Sequence, residues 1–223
     1  MALEDAFSSL LSVLDVLSVA VFAVTGALVA SRKQMDIFGF ALLGTVTGIG
    51  GGTVRDVLLG KLPVFWVGEP AYVAICVLVS FIVFFTAHIP ESRYRLLLWL
   101  DAVGLSLVAV VGATRGLDAG ATTFIAVVMG VITAAFGGII RDVLGGESPV
   151  ILRREIYVIP ALVGAALAVA LLELDMPRWQ AMTAGALACF VVRGLALVYG
   201  WSLPPYRARA GRNAADLDER ERR

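Results

Sequence analysis

Long apolar runs separated by short polar loops account for most of the chain. A helix needs about 20 mainly apolar residues to cross the hydrocarbon core of a bilayer, and seven runs approach this length. They cover residues 10–30, 37–59, 71–87, 96–114, 119–144, 156–172 and 179–203. None of them shows the alternating apolar and polar residues of a membrane β-barrel strand, so helices are the predicted element throughout.

The composition of the 223 residues agrees with this pattern. Hydrophobic residues make up 59% of the chain and charged residues only 16%, whereas a soluble domain has about 25% charged residues. The formal net charge is zero, which gives no electrostatic basis for binding nucleic acid. Cys76, Cys189 and the single histidine, His88, form no disulfide framework, metal-binding spacing or catalytic triad. We therefore predict a polytopic membrane protein that is not an enzyme and that has neither a cofactor nor a tightly bound metal.

Basic residues in the loops predict the orientation in the membrane. The loops after the first, third and fifth runs each carry two basic residues, and the C-terminal tail carries more. They are Arg32, Lys33, Arg93, Arg95, Arg153 and Arg154, with Arg207, Arg209 and Arg212 in the tail. Because cytoplasmic loops are enriched in Lys and Arg, we predict a protein of the inner or plasma membrane with its N-terminus outside and its C-terminus in the cytoplasm.

The chain contains an internal repeat with an offset of 86 residues. The offset carries Asp15 onto Asp101 and Gly26 onto Gly112. Farther along, GGTVRDVL at 51–58 aligns with GGIIRDVL at 137–144. The offset stays constant from residue 14 to residue 64, so shared composition is a poor explanation. Residues 10–88 and 95–175 are therefore predicted to be two copies of one three-helix unit.

The number of helices in each copy predicts how the copies are related. Because three is an odd number, the second copy enters the membrane from the opposite side, and the loop charges agree with this. The predicted fold is all-α, with seven transmembrane helices arranged as two inverted three-helix repeats and a seventh helix at 178–203. An extracytoplasmic segment at 1–9 and a charged cytoplasmic tail at 204–223 complete the chain. Inverted repeats in known transporters place the solute path near the midplane, at the repeat interface.

Glycines cluster in the second and fifth runs, just before an Arg-Asp pair. They are Gly50, Gly51 and Gly52 in the first copy and Gly137 and Gly138 in the second. Each glycine destabilises a helix by about 1 kcal/mol relative to alanine, so we expect both helices to kink or break here. Their free carbonyl groups would then face a hydrated path and bind a cation transiently near Gly50 and Gly137. Close helix packing through small residues is the alternative.

Six charged residues lie within the predicted spans or at their ends. They are Asp15, Arg55, Asp56, Asp101, Arg141 and Asp142. Because charges in a span usually face the protein interior or a water path, we expect Asp15 to pair with Arg55 at the outer mouth of the path. By the symmetry of the repeat, Asp101 should pair with Arg141 at the inner mouth. Alternatively, these side chains extend to the lipid headgroups and only fix the depth of the helices.

Two threonines occupy equivalent positions of the repeat, Thr47 in the second run and Thr133 in the fifth. Both supply a hydroxyl group at mid-membrane depth, which would suit a weakly bound monovalent cation. A hydroxyl in a helix often bonds to the backbone of its own helix instead. The two threonines are therefore candidate lining residues, with a local hydrogen bond as the alternative.

These features resemble the trimeric intracellular cation (TRIC) channel family, in particular its prokaryotic members with a UPF0126-like repeat domain. The resemblance covers residues 10–203 and rests on GGGTVRD at 50–56 and GGIIRD at 137–142. It implies a homotrimer in the lipid membrane with a separate pore in each protomer. It also implies passage of monovalent cations, chiefly K⁺ with Na⁺ as a second candidate, past hinges at the glycines. The second copy has Ala135 and Phe136 before its glycine pair, so it is expected to bend less.

A carrier for a small solute such as glycine is the alternative function. The resemblance extends to bacterial repeat domains proposed to move glycine, and an inverted repeat supports alternating access. A carrier of a zwitterion needs a site for both the carboxylate and the ammonium group, and no unpaired acidic residue is evident at mid-membrane depth. A channel needs only a polar lining, so a passive cation channel is the prediction.

Overall fold

The computed structural model describes residues 2–90, 92–153 and 155–204, with side chains from residue 13 onward. The predicted all-α class is confirmed. In the described residues the helices are α1 (Ala2–Arg32), α2 (Ile37–Leu58), α3 (Phe65–Gly68), α4 (Ala71–Thr86), α5 (Arg93–Asp118), α6 (Thr123–Leu144), α7 (Val158–Glu173) and α8 (Arg178–Tyr199). A 3₁₀ turn at Val150–Leu152 lies between α6 and α7.

Local signals set several helix ends. Asp36 caps α2, and its carboxylate accepts a hydrogen bond from the backbone N–H of Gly39 at 2.8 Å, as aspartate at this position commonly does. After α2 and α6 the chain turns at Gly60 and Gly146, with φ of 67° and 65°. Glycine adopts this left-handed conformation without steric strain. Because these two glycines are 86 residues apart, the repeat of the sequence extends to the backbone geometry.

Five of the described helices are long and apolar enough to cross a membrane by length and composition. They are α1 from residue 13 onward, α2, α5, α6 and α8. The other two apolar helices, α4 and α7, have 16 residues each. At 1.5 Å per residue they are about 24 Å long, which is less than the roughly 30 Å of a hydrocarbon core. The count of seven spans therefore stays a prediction.

Several boundaries differ from those predicted. α1 begins at Ala2, so the described part of the segment 1–9 is helical. The fifth run was expected to start at residue 119, but α6 begins at Thr123 because the chain turns at Gly120, whose φ is 79°. The short helix α3 was not predicted. The charged tail, beyond residue 204, lies outside the described residues.

The helices assemble in two groups of three. α1, α2 and α4 pack together, as do α5, α6 and α7. The groups meet where α1 packs against α5 and α2 against α6, and α8 packs against α5 and α7. Apolar side chains also remain on the outer surface: Phe38 and Phe124, at equivalent repeat positions, are 79% and 75% exposed. Such a surface suits lipid rather than water.

Candidate functional site

α2 and α6 cross at their glycine clusters, and the contact is reciprocal. Gly51 lies directly against the backbone carbonyl oxygen of Thr133, so that an added methyl carbon would overlap it. Gly137 in turn faces the carbonyl oxygen of Thr47, and a methyl carbon there would lie 2.8 Å from this oxygen. Glycine therefore lets the two backbones approach each other, as small residues do at close helix crossings in membranes.

Both helices continue through these glycines. The helical assignments of α2 and α6 run without interruption over residues 37–58 and 123–144. The predicted break in the two helices is therefore wrong for this structure, and close packing, the alternative, describes the contacts. The physical reason is that tertiary packing overrides the low helix propensity of glycine. A bend that keeps the helical hydrogen bonds, and a transient cation near Gly50 and Gly137, stay predictions.

The remaining glycines of the clusters contact different groups. Gly50 faces the Ile140 side chain. Gly52 lies under the ring edge of Phe65, with a would-be methyl carbon 2.6 Å from the nearest ring atom. The repeat counterpart of Gly52 is Gly138, which instead lies beside the hydroxyl group of Tyr157. The second glycine of the pair is thus covered by an apolar ring in the first copy and by a polar group in the second.

Thr47 and Thr133 are buried at the same crossing, with 1% and 2% of their surface exposed. Each hydroxyl donates a hydrogen bond to the carbonyl oxygen four residues earlier in its own helix, that of Leu43 and that of Met129. The local hydrogen bond considered in the sequence analysis is therefore present. A hydroxyl group that donates one hydrogen bond can still accept another through its oxygen. The two threonines therefore remain candidate lining groups.

A narrow cavity of about 20 Å³ lies at this crossing, which is room for about one water molecule. Seven of the residues singled out from the sequence line it: Asp15, Thr47, Gly51, Gly52, Arg55, Thr133 and Gly137. Val19, Phe22, Phe65 and Val108 form its apolar side. The cavity thus brings together charged, hydroxyl and glycine positions from both copies of the repeat.

A wider vestibule of about 320 Å³ adjoins the narrow cavity. The two spaces share Asp15, Arg55 and Phe65 in their linings. The vestibule also has charged groups of both signs, from Asp56, Lys61, Glu69 and Arg115. Charged walls therefore lead directly to the crossing of α2 and α6.

Arg141 lies at the centre of a buried charged cluster on the other side of the crossing. Its Nη1 donates to Asp101 Oδ1 at 2.7 Å and to Thr25 Oγ1 at 3.1 Å, and its Nε donates to Asp142 Oδ1 at 2.9 Å. The second carboxylate oxygen of Asp142 accepts the Val150 backbone N–H at 2.9 Å. The predicted Asp101–Arg141 pair is present. Arg141 is 0% exposed, and a buried charge is stable only when it is paired and hydrogen-bonded.

The equivalent cluster in the first copy is built on Arg55 and Asp56. Arg55 donates to Asp56 Oδ1 from Nε at 2.9 Å and from Nη2 at 2.8 Å. The other oxygen of Asp56 accepts the backbone N–H of Phe65 at 2.9 Å. The neighbouring Arg-Asp pair is therefore common to both copies, and in each copy the aspartate also accepts the first backbone N–H of the next short helix or turn, one position apart in register.

Asp15, however, does not pair with Arg55. Its Oδ2 accepts a hydrogen bond from Nη2 of Arg115 at 2.7 Å, so the predicted Asp15–Arg55 pair is wrong. The physical reason is that α1 packs against α5, and the last turn of α5 brings Arg115 to the carboxylate. The repeat counterpart of Arg115 is Val29, a buried apolar residue, so this position supplies no competing guanidinium to Asp101.

Sequence reasoning missed three side chains that complete these clusters. By sequence Arg115 counts only as a loop residue, Tyr157 is not singled out, and Arg193 in the seventh run is predicted to be either a structural or an interfacial cation. Arg193 is 1% exposed and does not extend to an interface. A signal for Arg115 and Arg193 was available, because a basic residue inside a span needs an acidic or carbonyl partner. Tyr157 gave no comparable signal.

Comparison with known proteins places this geometry in context. The family model described as glycine transporter matches residues 12–88 and 98–173. The UPF0126 inner membrane protein YadS of Escherichia coli K12 is 39% identical over 195 residues, which is 86% of this chain and 94% of that protein. The solved TRIC trimeric intracellular cation channel orthologue from Rhodobacter sphaeroides is 62% identical, with a TM-score of 0.85 over 86% of this chain and 100% of that chain. A prokaryotic TRIC channel solved in 0.5 M KCl is 29% identical, with a TM-score of 0.81 over 88% of this chain and 100% of that one.

Helices of membrane-spanning length, an apolar outer surface and buried ion pairs define an integral membrane protein of the all-α class. The matches cover most of the chain and most of each relative. The chain belongs to the prokaryotic TRIC/UPF0126 family. The resemblance based on the two glycine and Arg-Asp motifs is thereby confirmed.

Proposed function

We propose that this protein is a passive cation channel that assembles as a homotrimer, with one path in each protomer. The observation that carries the proposal is the charged vestibule that narrows to a water-sized cavity between Thr47 and Thr133. Oxygen groups lining a narrow path can replace part of the hydration shell of a monovalent cation. The proposed permeant ion is K⁺, with Na⁺ as a second candidate. Similarity to solved TRIC channels supports this assignment.

The charged groups have different proposed roles at the two ends of the path. In the vestibule, Asp15 and Glu69 offer carboxylate oxygens to an entering cation, while the basic groups Arg55, Lys61 and Arg115 balance the charge of the wall. At the other end, the fully buried pair of Asp101 and Arg141 occupies the space beyond the crossing and closes the path in this conformation. Conduction then requires that this pair move.

We also propose that the helices form seven spans in two inverted repeats, with the N-terminus outside. The reciprocal contacts of Gly51 and Gly137 at the crossing support a two-fold relation between the copies. Local thinning of the bilayer would let the 16-residue helices α4 and α7 span. The test uses Leu62→Cys and Ser148→Cys, which are exposed and at equivalent repeat positions. A membrane-impermeant maleimide applied to spheroplasts should label Leu62→Cys only; labelling of both from one side would exclude the inversion.

Single-channel recording in planar bilayers tests the channel itself. The purified protein should give discrete current steps in symmetric KCl, at rates that no carrier cycle reaches. Cross-linking in detergent should trap a species of three chains and no larger one. Saturable uptake without current steps would reject a channel, and a monomeric cross-linking pattern would reject the trimer.

A carrier for a small zwitterion is the second candidate. The vestibule favours it, because about 320 Å³ falls in the range of small-molecule sites, and its wall offers acidic and guanidinium groups for both ends of glycine. The description of the matching family model also points to glycine. Proteoliposomes loaded with buffer and given labelled glycine distinguish the two: a carrier takes up glycine at a rate that saturates with its concentration, while a cation channel passes K⁺ and leaves glycine outside.

A further inference from the structure

Arg193 is a buried cation on α8, the helix that lies outside both copies of the repeat. Its side chain is 1% exposed, and it lies six residues before the end of the helix at Tyr199. That is about 9 Å from the helix end at 1.5 Å per residue. A guanidinium at this depth requires partners inside the protein.

The partners of Arg193 are three consecutive residues that lead into α7. Nη2 donates to Glu155 Oε2 at 3.0 Å, and Nη1 donates to the Ile156 carbonyl oxygen at 2.8 Å. The guanidinium also lies over the Tyr157 ring, 5.2 Å from its centroid, within the range of a cation–π contact. One side chain of α8 therefore holds the whole stretch 155–157.

The same stretch delivers the Tyr157 hydroxyl group to the buried charged cluster. A methyl carbon at Gly138 would lie 2.8 Å from this hydroxyl, 3.5 Å from Arg141 Nη2 and 3.6 Å from Asp101 Oδ1. Tyr157 is 2% exposed. Its hydroxyl oxygen, Arg141 Nη2 and Asp101 Oδ2 have no hydrogen-bond partner within the described protein atoms. Three unpartnered polar atoms thus belong to side chains that converge around Gly138.

The first copy of the repeat is covered in a different way. Gly52, the counterpart of Gly138, is covered by the Phe65 ring, and this ring packs edge-on against Tyr72 at 4.9 Å between centroids. Both aromatic residues belong to α3 and α4, which α8 does not substantially contact. The connection to α8 is therefore particular to the second copy.

We propose that Arg193 is a positioning residue that couples α8 to the inner end of the path. It fixes residues 155–157 and, through the Tyr157 hydroxyl, the arrangement of Arg141 and Asp101. The inference rests on the proposed channel function. When Arg193 is altered, the Tyr157 hydroxyl loses its fixed position, and the balance between closed and open paths shifts.

The test is single-channel recording of Arg193→Lys and Arg193→Gln in planar bilayers. Mutations of residues that couple two sites without touching the ligand typically change the coupling equilibrium about 2- to 30-fold. The ratio of open to closed dwell times should therefore change by about that factor. Single-channel conductance should stay at the wild-type value, because Arg193 does not line the path. Tyr157→Phe should shift the dwell ratio in the same direction. Arg193→Lys added to Tyr157→Phe should then shift it no further.

Arg178→Gln is the matched control, since it removes the same charge near the other end of α8, where Arg178 pairs with Asp118. The coupling would be overturned if Arg193→Lys gated like the wild type. It would also be overturned if the separate effects of Arg193→Lys and Tyr157→Phe multiplied in the double variant. If Arg193→Gln does not yield folded protein, Arg193→Lys, which keeps the charge, decides the question. Absence of current steps in the wild type would reject the channel, whereas wild-type steps with unaltered gating in the variants would reject only the coupling.

Discussion

Alanine in place of Gly51 should destabilise the protein through one contact. The added methyl carbon would overlap the backbone carbonyl oxygen of Thr133, which cannot rotate away as a flexible side chain can. Overpacking a well-packed interior destabilises by about 1–3 kcal/mol, and a backbone obstacle places this substitution at the upper end of that range. The gain in helix propensity from glycine to alanine offsets about 1 kcal/mol of it. The expected net loss is about 2 kcal/mol.

Gly68→Ala is the matched control for this measurement. Gly68 also lies in a helix, but nothing comes within 4 Å of a methyl carbon added there. Because Gly68 ends a helix of only four residues, this variant should be as stable as the wild type to within about 0.5 kcal/mol. The assay is unfolding of the purified protein in mixed micelles, followed by tryptophan fluorescence as the denaturing detergent fraction rises. If Gly51→Ala unfolds at the same detergent fraction as Gly68→Ala, the reciprocal crossing does not hold α2 and α6 together.

Three further substitutions separate buried from exposed interactions. Asp101→Asn removes one of the two carboxylates that pair with a fully buried guanidinium and should destabilise by about 1.5–3 kcal/mol in the same unfolding assay. Asp15→Asn weakens a pair whose arginine side chain is 34% exposed, so its cost should be about 0–1 kcal/mol, while bilayer recordings should show lower conductance or altered cation preference. Trp66→Phe deletes the 3.0 Å hydrogen bond from the indole N–H to a threonine hydroxyl and should cost about 1 kcal/mol. Equal stability of the Asp101 and Asp15 variants would contradict the difference in burial.

The repeat predicted one ion pair correctly and the other wrongly. Asp101 and Arg141 pair as the offset of 86 residues suggested. Asp15 pairs instead with Arg115, whose counterpart Val29 carries no charge. Symmetry therefore predicts a contact only where every competing residue is duplicated as well. Arg115 lies inside the repeat but opposite a different residue, Val29, so a comparison limited to identical positions could not include it.

The glycine clusters show what local propensity leaves out. Propensity alone predicts a weak point at Gly51 and Gly137, and the helices remain continuous there. What decides the outcome is the neighbour that each glycine faces, the carbonyl oxygen of Thr133 or of Thr47. That neighbour lies 82 to 90 residues away in the chain, beyond any local pattern. The positions that matter were identifiable from the sequence, but their physical role required the packing of two helices.

The two copies also differ in the charges of their equivalent loops. Under the proposed inversion the loop at residue 61 lies outside and the loop at residue 147 lies in the cytoplasm, so this one position runs against the general enrichment of basic residues in cytoplasmic loops. Lys61 and Glu147 are equivalent, and Glu147 forms ion pairs with Arg32 at 3.1 Å and Arg153 at 3.6 Å. The turn backbone is nevertheless the same: the N–H of each residue donates at 2.8 Å to the carbonyl oxygen five residues earlier. The turn backbone thus follows the repeat, whereas the charge at this position follows its neighbours, because Glu147 lies among the basic residues Arg32 and Arg153.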